Sequence, residues 1–276
     1  MKKIIFLDID GTLVTPNKPV SQKVKEAIIK TRENGNYVFL CTGRNRSSIE
    51  ALEDIGFDGY ICSAGGYIEV DGKVIDKTYL DNDEVNRIIE ILDSNNILYN
   101  LEGSDYTYSS EKLKYYFAHA ILGDNGSNSE FERLMEQQKN EYNMVDISEY
   151  DGSQGIHKLC FIAFDMDDVN KVKDVLDDYH FVIHDVFSEH TINGEIINKD
   201  INKGLAVKKV VEYLNLDIQD TIGFGDSMND YEMIKVCKYG VAMANASDEL
   251  KQYANIVCES VDDDGVYHQL KRFSLC

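Results

Sequence analysis

Two carboxylates stand two residues apart near the start of the chain, in Asp8-Ile9-Asp10-Gly11-Thr12. The run Ile4 to Ile9 is short and apolar and ends in acid and glycine, the pattern of a strand buried on both faces of a parallel sheet. In open parallel sheets, ligands bind beyond the carboxyl ends of the strands. Gly11 lets the chain turn sharply there. Such a place suits ligand binding, although Asp-Gly is also a common turn pair. A second apolar run, Tyr37 to Cys41, leads into Thr42-Gly43-Arg44. A hydroxyl and backbone N–H groups at that position can hold a phosphoryl oxygen, and a helix N-cap explains Thr42 equally well. A third run, Thr221 to Phe224, leads into Gly225-Asp226-Ser227-Met228-Asn229-Asp230. Asp226 and Asp230 are the hard oxygen donors that Mg²⁺ prefers, and they also form a favourable acidic start to the next helix. Lys203 stands just before another helical stretch, where one lysine alone means little. If the strands are parallel, the three loops meet on one sheet edge, and that joint placement is more specific than any single motif.

The elements that must position these residues alternate. Ser21 to Asn34 reads as a helix capped by Ser21 and stopped by Gly35, Ser47 to Ile55 as another, and Gly59 to Cys62 as a strand. After Lys203 come a helix over Gly204 to Leu214, the strand Thr221 to Phe224, a helix over Asn229 to Val236, and the strand Tyr239 to Met243. A helix over Ser247 to Tyr253 and a strand over Ile256 to Cys258 close the series. Strand–helix alternation predicts an α/β fold, a Rossmann-like doubly wound parallel sheet. The middle of the chain differs. Helical patterns over Asp81 to Ser94, Glu130 to Glu141 and Val169 to Tyr179 are mixed with strands over Ile97 to Leu101, Tyr106 to Ser109 and Lys158 to Phe164. Two more, Phe181 to Phe187 and His190 to Ile197, read as antiparallel partners turning near Ser188 and Glu189. We expect an inserted α+β domain over residues 82–190, splitting a core made of 1–81 and 191–276.

Composition narrows the function. A formal net charge of -21 disfavours non-specific binding to nucleic acid or to anionic lipid. An anionic substrate would need a site made locally positive by a metal and a few placed cations. The six cysteines form no C-x-x-C pair, so neither a disulfide framework nor a zinc site is expected. The chain carries no G-x-x-x-x-G-K-[ST], no G-x-G-x-x-G after a strand and no H-E-x-x-H, which argues against a P-loop kinase, a dinucleotide oxidoreductase and a zinc protease. Asp8 and Asp10 interrupt the first apolar run too early for a signal peptide, and a cytoplasmic location is expected.

Over nearly its whole length the chain resembles the haloacid dehalogenase-like hydrolases, in the Cof-type sugar-phosphatase branch with a large cap. The motifs that carry the resemblance run in order: D-x-D-G-T at Asp8 to Thr12, the T-G-R threonine at Thr42, Lys203 before Gly204, and G-D-x-x-N-D at Gly225 to Asp230. Gly240 to Ala246 and the late turn Asp264-Gly265-Val266 are similar as well, whereas Ser63-Ala64-Gly65-Gly66 replaces the usual Asn-Gly turn. The resemblance implies Asp8 as nucleophile, forming an aspartyl-phosphate, and Asp10 as general acid and then base. It implies Mg²⁺ on Asp8, the backbone carbonyl of Asp10, and Asp226, with Asp230 at or beside the ion. Thr42, Gly43, Lys203 and Asn229 would bind the phosphoryl group, and Arg44 would shape its loop. The cap would close over the site and set specificity, with His157, Tyr106 and Tyr108 as candidate substrate-facing side chains. The expected partner is a small phosphorylated metabolite, with neither nucleic acid nor membrane, for a monomer or homodimer. A phosphomutase using the same nucleophile, or a non-catalytic phosphate-binding regulator, are the alternatives.

Overall fold

The computed structural model describes residues 2–15, 18–120, 144–183 and 191–276. In chain order the described strands begin with β1 (Ile4–Leu7), β2 (Tyr37–Cys41), β3 (Gly59–Cys62), β4 (Tyr67–Val70) and β5 (Lys73–Lys77). Next come β6 (Leu98–Gly103), β7 (Thr107–Ser109), β8 (Met144–Asp146), β9 (Ile156–Ala163), β10 (Tyr179–Ile183) and β11 (Ile192–Asn198). The last are β12 (Thr221–Gly225), β13 (Tyr239–Ala242) and β14 (Ile256–Val257). The helix expected over Glu130 to Glu141 and the turn near Ser188 and Glu189 lie outside the described residues.

The chain forms two compact units, Met1–Lys77 with Ile201–Cys276, and Thr78–Asp200. The first is built on an eight-stranded sheet in the order β14-β13-β12-β1-β2-β3-β4-β5. β1 to β3 and β12 to β14 are parallel to one another, and β4 and β5 run antiparallel at the edge. β1 lies at the centre, which explains its unbroken apolar run: a strand covered on both faces has no polar side. Ile5 and Leu7 pack with Val24, Ala27 and Ile28 of the helix Gln22–Glu33 and with Val266 and Leu270 of the helix Gly265–Arg272. Ile4 and Phe6 pack on the other face with Val207 and Val210 of the helix Lys203–Tyr213 and with Met233 of the helix Tyr231–Val236. Helices on both faces make the sheet doubly wound. Ser21 caps the first of these helices, its hydroxyl accepting from the Val24 amide at 3.3 Å.

The β4–β5 hairpin is absent from the sequence reading, although its turn signal is present. Asp71 and Gly72 sit at φ 49° and 72°, the left-handed pair of a two-residue hairpin turn. The segment read as an α-helix over Ser47 to Ile55 is a 3₁₀ helix, Arg46–Ile55, capped by the Asn45 side chain on the Ser48 amide at 3.1 Å.

The second unit is a six-stranded mixed sheet, β10-β11-β9-β6-β7-β8, forming the inserted cap. Its boundaries differ from the expected 82–190. β11 is an inner strand, hydrogen-bonded to both β9 and β10, so residues 191–200 belong to this sheet and not to the core. Leu80 bridges to Ile156 and carries the other boundary back to Thr78. One face of the sheet presents Leu101, Leu159, Phe161 and Ile196 to the helices Asn82–Ser94 and Met166–Val175. The other face is polar yet buried, with Asn100, Glu102, Lys158 and Glu195 each at most 2 % exposed. Lys158 bridges Glu195 and, at 3.4 Å, Glu102. A buried lysine between two carboxylates is the charge pairing that burial demands.

Candidate active site

The register of the central strands aligns the three motif loops. Leu7 of β1 pairs with Leu40 of β2 on one side and Phe224 of β12 on the other. The residues that follow, Asp8, Thr42 and Asp226, therefore emerge on the same carboxyl edge. The Asp8 amide continues the ladder one residue beyond β1 by donating to Phe224 O at 3.0 Å. Gly11 then turns back at φ 79°, and a Cβ there would lie 2.0 Å from Asp226 Oδ2. Only glycine fits both the left-handed backbone and that approach. Asn245 pins the turn: its Nδ2 donates to Gly11 O at 2.7 Å, and its Oδ1 accepts from the Val261 amide at 2.9 Å.

Lys203 joins the loops. It opens the helix Lys203–Tyr213, whose N-cap Asn202 accepts from the Leu205 amide at 2.8 Å. Its side chain is fully buried, and Nζ donates to Asp8 Oδ1 at 2.7 Å, Asp230 Oδ1 at 2.6 Å and Asn229 Oδ1 at 3.3 Å. Asp230 Oδ2 accepts from the Asp226 and Ser227 amides at 3.0 and 3.3 Å. Asp230 is thus held on both oxygens, and it fixes the lysine and the Asp226 loop together. Asp226 Oδ1, in contrast, is buried with no hydrogen-bond partner among the described residues.

Burial, followed by the charge of Asp230, pushes the Asp8 carboxyl well above the usual carboxylate range, with Lys203 opposing. Burial and then the Asp8 charge do the same to Asp226. Burial pulls the Lys203 ammonium down, but Asp230 and Asp8 outweigh it and hold the ammonium well above its ordinary value. Carboxylate oxygens of Asp8, Asp226 and Asp230 lie within 4.8 Å of one another. Three carboxylates against one ammonium leave two negative charges uncompensated. The orphaned Asp226 oxygen, the all-oxygen donor set and this charge excess fit a divalent hard cation. The Asp10 carboxylate is not one of the three in that cluster.

The Asp10 side chain turns instead to Arg44, the residue that sequence reading gave a loop-shaping role. Arg44 Nε donates to Asp10 Oδ2 at 2.9 Å and Nη2 to Asp10 Oδ1 at 2.6 Å, a two-point fork. The backbone of Arg44 is tied as well: its amide donates to Thr42 Oγ1 at 3.1 Å, and its carbonyl accepts from the Ser63 amide at 2.8 Å. Thr42 and Gly43 are buried at the end of β2. Ser63 and Ala64, at φ 51° and 56°, hold the left-handed turn that Asn-Gly would take, and the Ala64 amide donates to Thr42 O at 3.0 Å. The changed turn therefore still braces the Thr42 loop. His157 is engaged elsewhere, within 2.8 Å of Ser104 Oγ and 2.7 Å of Thr78 O, and Tyr108 packs in the apolar cluster of the cap. Tyr106 is half exposed.

Residues 5–270 match the haloacid dehalogenase-like hydrolase family. A 5-amino-6-(5-phospho-D-ribitylamino)uracil phosphatase of Bacillus subtilis is 30% identical over 274 residues, 96% of this chain and 95% of that protein. A pyridoxal phosphate phosphatase of Escherichia coli is 27% identical, the match covering 96% of each chain. Among solved structures, a sugar phosphatase of haloacid dehalogenase subclass IIB superposes with a TM-score of 0.77 at 21% identity, with both chains covered in full. With its motif residues gathered on one sheet edge and an inserted cap of the same kind, the chain belongs to the haloacid dehalogenase-like hydrolases, as a phosphatase of the Cof-type IIB branch.

Proposed function

We propose that this phosphatase is Mg²⁺-dependent and hydrolyses a small phosphomonoester, a sugar phosphate or a phosphorylated cofactor, through an aspartyl-phosphate on Asp8. The observation that carries the reading is the Asp8 carboxylate at the strand edge, 2.7 Å from a buried ammonium and grouped with an unpartnered Asp226 oxygen. Mg²⁺ would be held by Asp8, the Asp10 backbone carbonyl and Asp226, with Asp230 beside it, and would supply charge neutralisation at the transferring phosphoryl group.

The other steps belong to the chain. Asp8 attacks phosphorus in line, forming its own P–O bond as the bond to the leaving oxygen breaks. Asp10 gives that oxygen a proton and later takes one from the attacking water. Thr42, Gly43 and Asn229 bind phosphoryl oxygens. Lys203 adds positive charge where negative charge develops, in a buried place where it counts most. The relatives named for ribitylaminouracil phosphate and pyridoxal phosphate support the substrate class and leave the compound open.

The test is phosphate release from a panel of small phosphomonoesters with Mg²⁺, with EDTA, and by the Asp8→Asn variant. Release that needs metal and is lost in the variant is the expected result. Undiminished release by a folded Asp8→Asn protein would remove Asp8 as nucleophile.

A further inference from the structure

Three successive residues after β3, Ser63, Ala64 and Gly65, hold left-handed backbone at φ 51°, 56° and 110°. Two of them carry a Cβ, and both are buried. Left-handed backbone at such residues persists only where the surroundings over-determine it. Here the turn is held by two neighbours. The Ser63 amide donates to Arg44 O at 2.8 Å and the Ala64 amide to Thr42 O at 3.0 Å. The turn therefore grips the candidate phosphate loop on either side of Gly43. Gly65, in turn, lies against the first turn of the helix Lys203–Tyr213. A Cβ on Gly65 would stand 2.7 Å from Asn202 O and 3.2 Å from Ala206 Cβ.

Asn202 sets where that helix begins. Its Oδ1 accepts from the Leu205 amide at 2.8 Å, and its carbonyl accepts from the Ala206 amide at 3.1 Å. The carbonyl that a methyl on Gly65 would strike thus carries the first helical hydrogen bond and leads by one peptide bond to Lys203. Gly204 is close-packed as well, since a Cβ there would lie 2.6 Å from Glu232 O. The start of the helix is therefore seated against two backbones at once, with little freedom to give way.

We propose that the Ser63–Gly65 turn is a strut that positions Lys203 on Asp8. It ties the loop holding Thr42 to the N-cap of the lysine helix, so that the phosphoryl-binding groups of two distant chain segments keep one spacing. Gly65 is the point of contact, a positioning residue that acts through Asn202 on Lys203. The inference rests on the reading that Asp8 is the nucleophile and Lys203 answers charge developing beside it.

The test compares Gly65→Ala with Gly72→Ala. Gly72 is also left-handed, at φ 72°, but nothing lies within 4 Å of the place a Cβ would take. Both variants put a methyl on left-handed backbone, and only one meets the lysine helix. Steady-state kinetics use an ester found in the panel, a melting temperature is taken for each variant, and a crystal structure of Gly65→Ala reads the Lys203 Nζ–Asp8 Oδ1 distance, 2.7 Å in the parent protein. We expect that distance to exceed hydrogen-bond reach, about 3.5 Å. In Gly65→Ala, kcat should fall about tenfold or more and KM should change less, because Lys203 acts on charge that develops in the transition state. Gly72→Ala should lower the melting temperature yet keep kcat and KM within about twofold. Ala206→Val enlarges the helix side of the same contact without left-handed strain. It should lower kcat in the same sense, and it carries the test if Gly65→Ala does not fold. A Lys203–Asp8 contact preserved in Gly65→Ala, or kcat undiminished in the folded variants, would overturn the strut while leaving the phosphatase reading in place. A wild-type protein that releases phosphate from no ester would overturn that reading and, with it, the role given to Gly65.

Discussion

Replacing Lys203 by methionine tests the electrostatic argument most severely, because the chain contains its own control. Lys203 Nζ lies 2.6 Å from Asp230 Oδ1, with both side chains fully buried. Lys209 Nζ lies the same 2.6 Å from Asp76 Oδ2, but those side chains are 45 % and 30 % exposed. Distance is matched and solvent differs. Removing the cation from an exposed pair costs about 0–1 kcal/mol, because water and salt screen the survivor. Removing it from a buried pair costs about 3–5 kcal/mol, because a charge is left in low dielectric with nothing to answer it. Lys203→Met leaves Asp8, Asp226 and Asp230 together with no cation, which places it at the upper end of that range. The assay is urea unfolding in EDTA at neutral pH for both lysine variants. A double variant, Lys203→Met with Asp230→Asn, should recover part of the loss, since one of the stranded charges is gone. Equal losses for Lys203→Met and Lys209→Met, or no recovery in the double variant, would refute the claim that Lys203 compensates buried carboxylates.

Three further outcomes follow from the same geometry. Gly11→Ala places a methyl 2.0 Å from Asp226 Oδ2 on a left-handed backbone, so turnover should fall by at least about a hundredfold, together with weaker Mg²⁺ binding by calorimetry. In the metal-free protein, Asp8 and Asp226 titrate above their unfolded values, so the folded state holds more protons than the unfolded one between those limits. Stability without metal should therefore fall as pH rises through that interval, and the gain in melting temperature on adding Mg²⁺ should grow with pH. A metal-induced gain that is flat from acid to neutral pH would contradict this. Asn245→Ala should leave the melting temperature within a few degrees of wild type yet lower kcat, because it releases the Gly11 carbonyl that fixes the Asp10 turn.

The parts of this site legible in the sequence are those whose meaning is local. An apolar run ending in Asp8-Ile9-Asp10-Gly11 states a buried strand and a sharp turn within a few residues, and the same holds for Thr42 and for Asp226 to Asp230. Topology then brings the loops together, and alternation alone implied that topology. What lay beyond the sequence depends on long-range pairing. Arg44 meets a carboxylate 34 residues away, and nothing in Thr42-Gly43-Arg44 says where its side chain turns. The candidate cap residues were aromatic and histidine side chains, but the buried polar face of that sheet is built around Lys158, Glu102 and Glu195, matched by strand register across three segments. The cap boundary was missed because the chain crosses between units with no proline or glycine-rich linker to mark it. β11 reads the same whether it joins one sheet or the other. The β4–β5 hairpin was within reach, since Asp71-Gly72 between apolar runs is a hairpin signal in its own right.

The central claim is that phosphate passes through a covalent bond to Asp8, and it can be read directly. The wild-type protein and the Asp10→Asn variant, which lacks the group that protonates the leaving oxygen and later activates water, are each mixed with a substrate found in the ester panel and quenched in acid. Peptide mass spectrometry then follows the peptide carrying Asp8. The account predicts that this peptide gains the mass of one phosphoryl group within the first turnover, and that Asp8→Asn never does. Phosphate released over a full turnover with no phosphoryl group on Asp8 at any time would contradict it, and would mean that water attacks the ester directly.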